Sequence, residues 1–287
     1  MIYEIFNDKL KVQISSVGAE LQSMIYDGAE YLWQGDPTYW HGRAYNLFPI
    51  CGRLTDGKYY NDGNTYEMNL HGFIRKSELD ANKLSDNEIE FIYKSNDESK
   101  KIYPFDFVYH IKYTLVENSV KITNQVDCLG NEVYFSIGGH PGFNVPLDND
   151  AFEDYYVDFS GAKPNKIVLS PTCFITNDRE PMALDSNKLW LKHDLFDNDA
   201  IFMEDIKSPV ILASASGNRK VTLAFEKDMK YLGLWHTPKT DAPFVCIEPW
   251  TGLPSYDGVV DDFKSKKNIT KLTKGEKYVL NWSITLD

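Results

Sequence analysis

Apolar and polar residues alternate along much of the chain, and a period of two is typical of half-buried β-strands. The alternation is clear over residues 10–14 and returns over residues 108–116 and 120–126, which flank the turn Glu117-Asn118-Ser119. Two alternating segments on either side of a short polar turn predict an antiparallel hairpin. A last alternating segment, residues 277–286, predicts one more long strand.

A second hairpin is predicted by residues 209–214 and 220–225, which flank Ser216-Gly217-Asn218. We find no long amphipathic helix, no repeat of fixed period and no low-complexity linker, and we interpret residues 96–101 as a polar loop. A continuous run of short strands without intervening helices favours a large antiparallel β-sandwich. The sequence therefore predicts an all-β protein in which residues 1–287 form a single domain.

Two residues with proton-transfer chemistry are associated with predicted strand ends. The strand over residues 132–137 runs into Gly138-Gly139-His140-Pro141-Gly142, and we expect the proline and glycines to end it beside the imidazole of His140. The apolar run over residues 244–250 contains Glu248, which we expect at the end of a second strand. A histidine and a carboxylate are the groups that paired acid–base catalysis uses. We therefore predict His140 and Glu248 as a catalytic pair.

Three further polar residues are candidates for binding a ligand. Arg53 follows an apolar run and a glycine, and its planar guanidinium suits hydroxyls, carboxylates or phosphates, although most arginines are simply exposed. His71 precedes Gly72, a residue type that permits close backbone approach, and a buried structural histidine is the alternative interpretation. Arg75 either pairs with Glu78 or lines the same pocket.

Aromatic residues lie in or near these segments. Flat apolar rings suit the C–H face of a pyranose, and arginine, histidine and asparagine bind its hydroxyls, so the combination favours a neutral sugar as ligand. A role in the core is the better interpretation for most of these rings, because β-proteins use aromatic residues there. Trp250, which follows Glu248 closely, is the expected exception. The aromatic residues considered are Trp33, Trp40, Phe73, Phe143, Trp235 and Trp250.

Composition and charge exclude several classes of function. The net charge of −12 argues against a nucleic-acid partner and against an anionic membrane surface, both of which require a basic face. We see no signal peptide and no apolar stretch near the ~20 residues of a membrane span. The expected location is the cytoplasm.

Metal and nucleotide chemistry lack their usual sequence signals. The four cysteines stand singly, which predicts free and mostly buried thiols, and no two histidines have the HxH or HxxxH spacing typical of a metal site. The chain also lacks a GxSxG nucleophile elbow, a Walker A loop and a GxGxxG segment that opens a helix. We therefore expect neither a metal nor a cofactor.

Four motifs together resemble those of the aldose 1-epimerases, the galactose mutarotase-like proteins, and are most similar to the LacX-type branch. In the family's order they are residues 46–54 (NLFPICGRL), 70–75 (LHGFIR), 139–143 (GHPGF) and 246–250 (CIEPW). The resemblance spans nearly the whole chain. It implies one β-supersandwich domain with a carbohydrate cleft, and a cofactor-independent isomerase that interconverts the α and β anomers of a hexose.

The resemblance also implies roles for individual residues. The histidine that matches His140 is the general acid of the family, and the glutamate that matches Glu248 is the general base. Residues that match Arg53 and His71 hold the sugar hydroxyls. An aspartate also contacts the sugar in mutarotases, and Asp199 is the nearest candidate here.

Two alternative functions remain open from the sequence. The segment His71-Gly72-Phe73-Ile74-Arg75 resembles the hexose-6-phosphate epimerases, in which arginines meet the phosphate, so a hexose-6-phosphate 1-epimerase with Arg53 and Arg75 as the clamp is one alternative. A non-catalytic sugar-binding or sensor protein is the other, although binding alone does not require an acid–base pair. The expected partner is a small hexose, free or phosphorylated, and the expected assembly is a monomer or a homodimer.

Overall fold

The computed structural model describes residues 1–287, and most of its regular structure is β-strand. Helical structure is limited to the helix α1 (Asp97–Ile102) and the short 3₁₀ turns Thr55–Gly57, Ile74–Lys76, Phe152–Asp154 and His193–Phe196. No helix is long and apolar enough to cross a membrane. In chain order the strands are β1 Ile2–Phe6, β2 Leu10–Ser15, β3 Leu21–Tyr26, β4 Ala29–Glu30, β5 Ala44–Leu47, β6 Lys58–Asn61, β7 Asn64–Glu67, β8 Asp80–Ser85, β9 Glu88–Lys94, β10 Phe107–Val116, β11 Ser119–Cys128, β12 Glu132–Phe135, β13 Gly138–Asn144, β14 Tyr155–Asp158, β15 Asn165–Leu169, β16 Ile175–Pro181, β17 Lys188–Trp190, β18 Ile201–Glu204, β19 Val210–Ser214, β20 Lys220–Phe225, β21 Tyr231–Trp235, β22 Phe244–Trp250, β23 Thr270–Thr273 and β24 Lys277–Leu286.

Both predicted hairpins are confirmed. Strands β10 and β11 pair antiparallel with Val116 opposite Ser119, and buried residues alternate with partly buried or exposed ones along both strands. Strands β19 and β20 pair in the same way. The period-two pattern is therefore the half-buried pattern of an antiparallel sheet, in which successive side chains point to opposite faces.

Two large antiparallel sheets organise the fold. The first has nine strands in the order β17-β14-β19-β20-β24-β11-β10-β9-β8, and the second has seven in the order β16-β15-β18-β21-β22-β13-β5. A four-stranded sheet, β1-β2-β3-β4, and the pairs β12-β23 and β6-β7 complete the structure. The predicted all-β architecture of antiparallel sheets is confirmed.

The main hydrophobic cluster lies between the two large sheets. It contains 62 buried residues from all parts of the chain, and the sheets approach so closely that a Cβ at Gly139 on β13 would lie 2.5 Å from the ring of Trp282 on β24. On β22 the side chains of Val245 and Ile247 belong to this cluster, whereas Glu248 points to the opposite face. The seven-stranded sheet thus has one face in the core and the other available to a cavity.

The interpretation of residues 96–101 as a loop is wrong, because residues Asp97–Ile102 form α1. The side chain of Asn96 accepts a hydrogen bond from the Ser99 amide at 2.9 Å, and the Ser99 hydroxyl accepts one from the Asn96 amide at 2.9 Å. This reciprocal capping stabilises a helix that is too short to show an amphipathic period. The local signal was in the cap residues and not in the hydrophobic pattern.

Candidate active site

His140 and Glu248 lie directly opposite each other on neighbouring strands. Gly138 pairs with Trp250 and Gly142 with Cys246 across β13 and β22, and the residues midway between these pairs are His140 and Glu248. Their side chains approach to 3.4 Å, from His140 Nε2 to Glu248 Oε2. Cross-strand pairing therefore brings together two residues that are far apart in the sequence.

The prediction that these residues end their strands is wrong. Strand β12 stops at Phe135, and His140 lies within the next strand, β13, while Glu248 lies within β22. The ladder between β13 and β22 is interrupted between Gly138 and Gly142, so Pro141 requires no hydrogen-bond donor on that side. A proline is tolerated in a strand at such an interruption because it lacks an N–H group.

Both members of the pair are buried among aromatic rings. His140 is 7% exposed and Glu248 is 2% exposed. The ring of Trp40 stacks on His140 with centroids 5.0 Å apart, and Trp235 meets the same imidazole edge-on at 5.8 Å. Water is therefore largely excluded from the pair, and both charged forms are disfavoured.

Burial shifts the pKa values of the two groups in opposite directions. It lowers the pKa of His140 to about 3, and it raises the pKa of Glu248 well above its ordinary value, with the charge of Asp199 adding to the second effect. In the free protein burial therefore favours the neutral form of each group, an uncharged imidazole and a protonated carboxyl group.

His71 lies beside the pair as a neutral donor. Its Nδ1 accepts a hydrogen bond from the Gly52 amide at 3.0 Å, which places the ring proton on Nε2, and burial together with the nearby His140 holds its pKa well below the ordinary value. Gly72 has a φ of +73°, and a Cβ there would overlap the carbonyl group of Phe48. The glycine is thus required for the close approach that positions His71.

Arg53 and Asp199 form an ion pair in the wall of the cavity. Arg53 Nη2 donates to Asp199 Oδ2 at 2.7 Å, and the side chains are 38% and 23% exposed. The structure therefore places Asp199 next to a residue that the sequence singled out. Because Asp199 offsets its charge, Arg53 is a positioned hydrogen-bond donor and not a free cation.

Arg75 lines the same cavity and does not pair with Glu78. Its Nε donates to the Leu70 carbonyl oxygen at 3.2 Å, and its guanidinium lies 5.1 Å from the ring centroid of Tyr45. No carboxylate forms an ion pair with it. Arg75 is therefore the cation of the cavity whose charge remains uncompensated.

A buried ion pair supports the part of the cavity wall that contains Arg53. Lys266 Nζ donates to Asp261 Oδ2 at 3.0 Å and to the Pro254 carbonyl oxygen at 3.2 Å, and the two side chains are 5% and 8% exposed. The Ser255 amide in turn donates to the Arg53 carbonyl oxygen at 2.9 Å. The Lys266–Asp261 pair therefore anchors the backbone next to Arg53.

These residues enclose a cavity of about 300 Å³ on the face of the seven-stranded sheet opposite the core. Its size lies at the lower end of the range for small-molecule sites. An open groove of about 670 Å³ lies elsewhere, around Lys207 and Lys230, and does not include the buried pair. The smaller cavity contains every residue that the sequence singled out for the site, namely Arg53, His71, Arg75, His140, Asp199, Glu248 and Trp250.

The aromatic lining differs from the sequence prediction. Trp250 lines the cavity as predicted, but it is only 1% exposed, and its Nε1 has no hydrogen-bond partner. Trp40 and Trp235, which we assigned to the core by default, also line it. The lining residues that the sequence analysis missed belong to no recognisable motif, and they include three with rings: His41, Tyr45 and Phe202.

One group of side chains has the composition of a metal site. The donor atoms of His140, Cys246 and Glu248 all lie within 4.8 Å of one another. Cys246 is two residues before Glu248 on β22 and shares its face of the sheet. Sequence spacing could not indicate this group, because the histidine comes from the neighbouring strand.

Comparison with known proteins finds similarity along the whole chain. A family model described as aldose 1-epimerase matches residues 1–285. The chromosomal protein LacX of Lactococcus lactis subsp. lactis is 34% identical over 299 residues, which cover 100% of this chain and 99% of the relative. A galactose mutarotase related enzyme from Lactobacillus acidophilus has a TM-score of 0.93 at 32% identity, covering 100% of this chain and 97% of the other. A galactose mutarotase-like protein from Lactobacillus casei ATCC 334 has a TM-score of 0.94 at 31% identity, with both chains covered completely.

Proposed function

Because the chain belongs to the aldose 1-epimerase family, we propose that it interconverts the α and β anomers of a hexose through His140 and Glu248. The observation that carries this proposal is the buried cross-strand pair, 3.4 Å apart, in a cavity of about 300 Å³. Anomer exchange requires one group that donates a proton and one that accepts a proton, and such a pair supplies both. The continuous 62-residue cluster supports a single domain over residues 1–287.

The proposed reaction opens and closes the hemiacetal ring. The protonated group donates to the ring oxygen while the other removes the proton from the C1 hydroxyl, and the C1–O5 bond breaks to leave an aldehyde. Rotation about C1–C2 and the reverse transfers close the ring on the other face. Each positioned proton transfer contributes about 10²–10⁴-fold.

The distribution of the single proton changes when the sugar binds. In the free protein burial favours the proton on Glu248, whereas His140 as the acid requires it on the imidazole. Sugar hydroxyls that donate to the carboxylate stabilise its charged form, and this moves the proton towards His140. The role of each group therefore depends on the bound sugar and not on the free protein alone.

The remaining residues of the cavity bind the sugar in this proposal. The Nε2–H of His71 and the guanidinium of Arg53 donate to hydroxyl oxygens, and Asp199 both accepts from a hydroxyl and holds Arg53 in place. Trp250 contributes an apolar surface and an unpaired Nε1–H donor. Several donors and few free charges match a neutral polyhydroxylated ligand.

Anomeric exchange measured by NMR tests the proposal. The rates of α/β interconversion of galactose and glucose are compared with and without the protein, and acceleration is expected for at least one of them. A protein that binds these sugars, detected by line broadening, but accelerates neither exchange would be a sensor and not an epimerase. A protein that neither binds nor accelerates them would also contradict the proposal.

A phosphorylated hexose is the second candidate substrate, and the observation that favours it is the uncompensated charge of Arg75. A dianion normally requires two or more converging cations, and here Asp199 offsets one of the two arginines, so the neutral hexose is better supported. Glucose 6-phosphate in the same NMR experiment decides between them. If exchange of the phosphorylated sugar alone is accelerated, Arg75→Gln is expected to raise the KM for this sugar at least tenfold. Arg179 is an ion-paired arginine outside the cavity, and Arg179→Gln is expected to leave this KM unchanged.

A further inference from the structure

The group formed by His140, Cys246 and Glu248 offers three different donor atoms to one point. The His140 and Glu248 donors are 3.4 Å apart, and all three donors lie within 4.8 Å of one another. Tetrahedral Zn²⁺ has bonds of about 2.0–2.3 Å, which separates neighbouring donors by roughly 3.3–3.7 Å. The imidazole and carboxylate already have this separation, and a side-chain movement on the order of 1 Å brings in the thiol.

We propose that His140, Cys246 and Glu248 form a binding site for Zn²⁺ or a similar divalent transition metal, and that its occupation inhibits the protein. Binding of the metal follows from the donor geometry alone. The inhibition rests on the proposed function, because it requires that His140 and Glu248 are the groups that transfer protons to and from the sugar.

The donor set selects the class of metal. A thiolate, an imidazole and one carboxylate suit Zn²⁺ and Co²⁺, whereas Mg²⁺ and Ca²⁺ are held by oxygen ligands. Three protein ligands leave the fourth tetrahedral position open, as in catalytic zinc sites. On binding, the metal exchanges water ligands for the imidazole, the thiolate and the carboxylate, and the thiol and any protonated carboxyl group release their protons to the solvent.

Neither the thiol of Cys246 nor the carboxyl group of Glu248 is committed to another hydrogen bond within the protein. His140 Nδ1 is buried and has no partner either. Cys246 is a free, fully buried thiol behind the cavity, whereas His140 and Glu248 line the cavity, so a metal approaches the group from their side. A metal between His140 and Glu248 replaces their mutual approach, and it competes with a sugar for the same space because both residues line the cavity.

Cobalt tests the site directly, because a thiolate bound to Co²⁺ absorbs in the near ultraviolet. Chelator-treated protein is titrated with Co²⁺ and then with Zn²⁺. We expect one Co²⁺ per chain, a thiolate absorption band, and loss of that band when Zn²⁺ displaces cobalt. The band should disappear in Cys246→Ser and persist in Cys173→Ser, a matched control in which the half-buried thiol outside the group is removed.

A second variant keeps the test decisive if Cys246→Ser does not fold. Glu248→Gln retains the thiol, and we expect the band to persist while the dissociation constant for Co²⁺ rises at least tenfold. Absence of the band in the wild type, its loss in Cys173→Ser, or an unchanged cobalt affinity of Glu248→Gln would overturn the site.

Inhibition is measured separately, by anomeric exchange with one equivalent and with an excess of Zn²⁺. A cobalt band that depends on Cys246 in a protein without exchange activity would leave the metal site standing and refute the proposed function. Exchange that persists when the site is saturated with Zn²⁺ would refute the inhibition, and loss of exchange that follows the Zn²⁺ occupancy supports it.

Discussion

Replacing Glu248 by glutamine preserves the shape of a buried side chain and removes its ability to exchange a proton. The residue is 2% exposed, and no protein group hydrogen-bonds to its carboxyl group except for the approach of His140. Glutamine occupies the same volume, so β22 and its neighbours can remain as they are. The substitution therefore tests the chemistry of position 248 apart from its packing.

Activity and stability should respond in opposite directions. Loss of one proton-transfer group lowers the rate of anomeric exchange by about 10²–10⁴-fold, which corresponds to roughly 2.7–5.4 kcal/mol of activation free energy. Burial raises the pKa of Glu248, so the unfolded chain loses its proton above about pH 4.5 while the folded one retains it. Wild-type stability therefore falls as the pH rises from 4.5 through the folded pKa, and the variant lacks this loss.

The assay combines NMR exchange rates with urea unfolding at pH 4.5 and pH 8. Glu248→Gln should be nearly inactive and, at pH 8, at least as stable as the wild type. Glu204→Gln is the matched control, since Glu204 lies in the same sheet, is half-buried and pairs with Arg179 outside the cavity. It should keep its exchange activity and lose only a little stability.

Two results would refute the reasoning about Glu248. Retention of exchange within a factor of about three would show that the carboxyl group transfers no proton in the slow step. A variant that loses activity and stability together, with a lower unfolding free energy at both pH values, would make Glu248 a structural residue. A lower activity with unchanged sugar binding, read from line broadening, is the expected pattern.

His140→Asn should also abolish most exchange. Because the pKa of His140 is lowered to about 3, the unfolding free energy of the wild type falls as the pH falls from 6.5 to 3, and the variant should show a smaller fall. The same dependence of unfolding free energy on pH in both proteins would contradict this. Gly72→Ala should destabilise the protein by about 2–5 kcal/mol in urea unfolding, since it combines a left-handed residue with overlap on a neighbouring carbonyl group. Lys266→Met should lower the free energy of unfolding by about 3–5 kcal/mol, because it leaves the buried Asp261 carboxylate with the Ser255 hydroxyl but without a cation. The double variant Lys266→Met/Asp261→Leu should recover part of this loss. Equal stability of the single and double variants would mean that the buried charge is not the cause.

The architecture was accessible from the sequence because period-two alternation is a local signal. Strands β10, β11, β19, β20 and β24 were each predicted within a few residues, and the turn residues between them set the hairpins. The helix α1 was missed because its six residues depend on the Asn96 cap and not on a hydrophobic period. Strand ends were the weakest inference, because the interruption opposite Pro141 is visible only once β13 and β22 are paired.

The site was accessible in part, since the motifs named His140, Glu248, Arg53 and His71 without their contacts. The cross-strand approach at 3.4 Å depends on the register of two distant strands, which no single sequence shows. The same limit explains why Trp40 was assigned to the core and Cys246 received no role. Both become relevant only through neighbours contributed by another strand or loop.

The alternation of faces along β22 has a consequence for how this protein can diversify. Val245 and Ile247 belong to the core between the two sheets. Cys246 and Glu248 alternate with them and lie on the opposite face of the sheet, where Glu248 lines the cavity. A one-residue insertion in Phe244–Trp250 would exchange these faces and destroy packing and chemistry at once. New ligand preferences should therefore arise in the irregular segments that carry His41 and Asp199, and libraries for altered selectivity are best placed there.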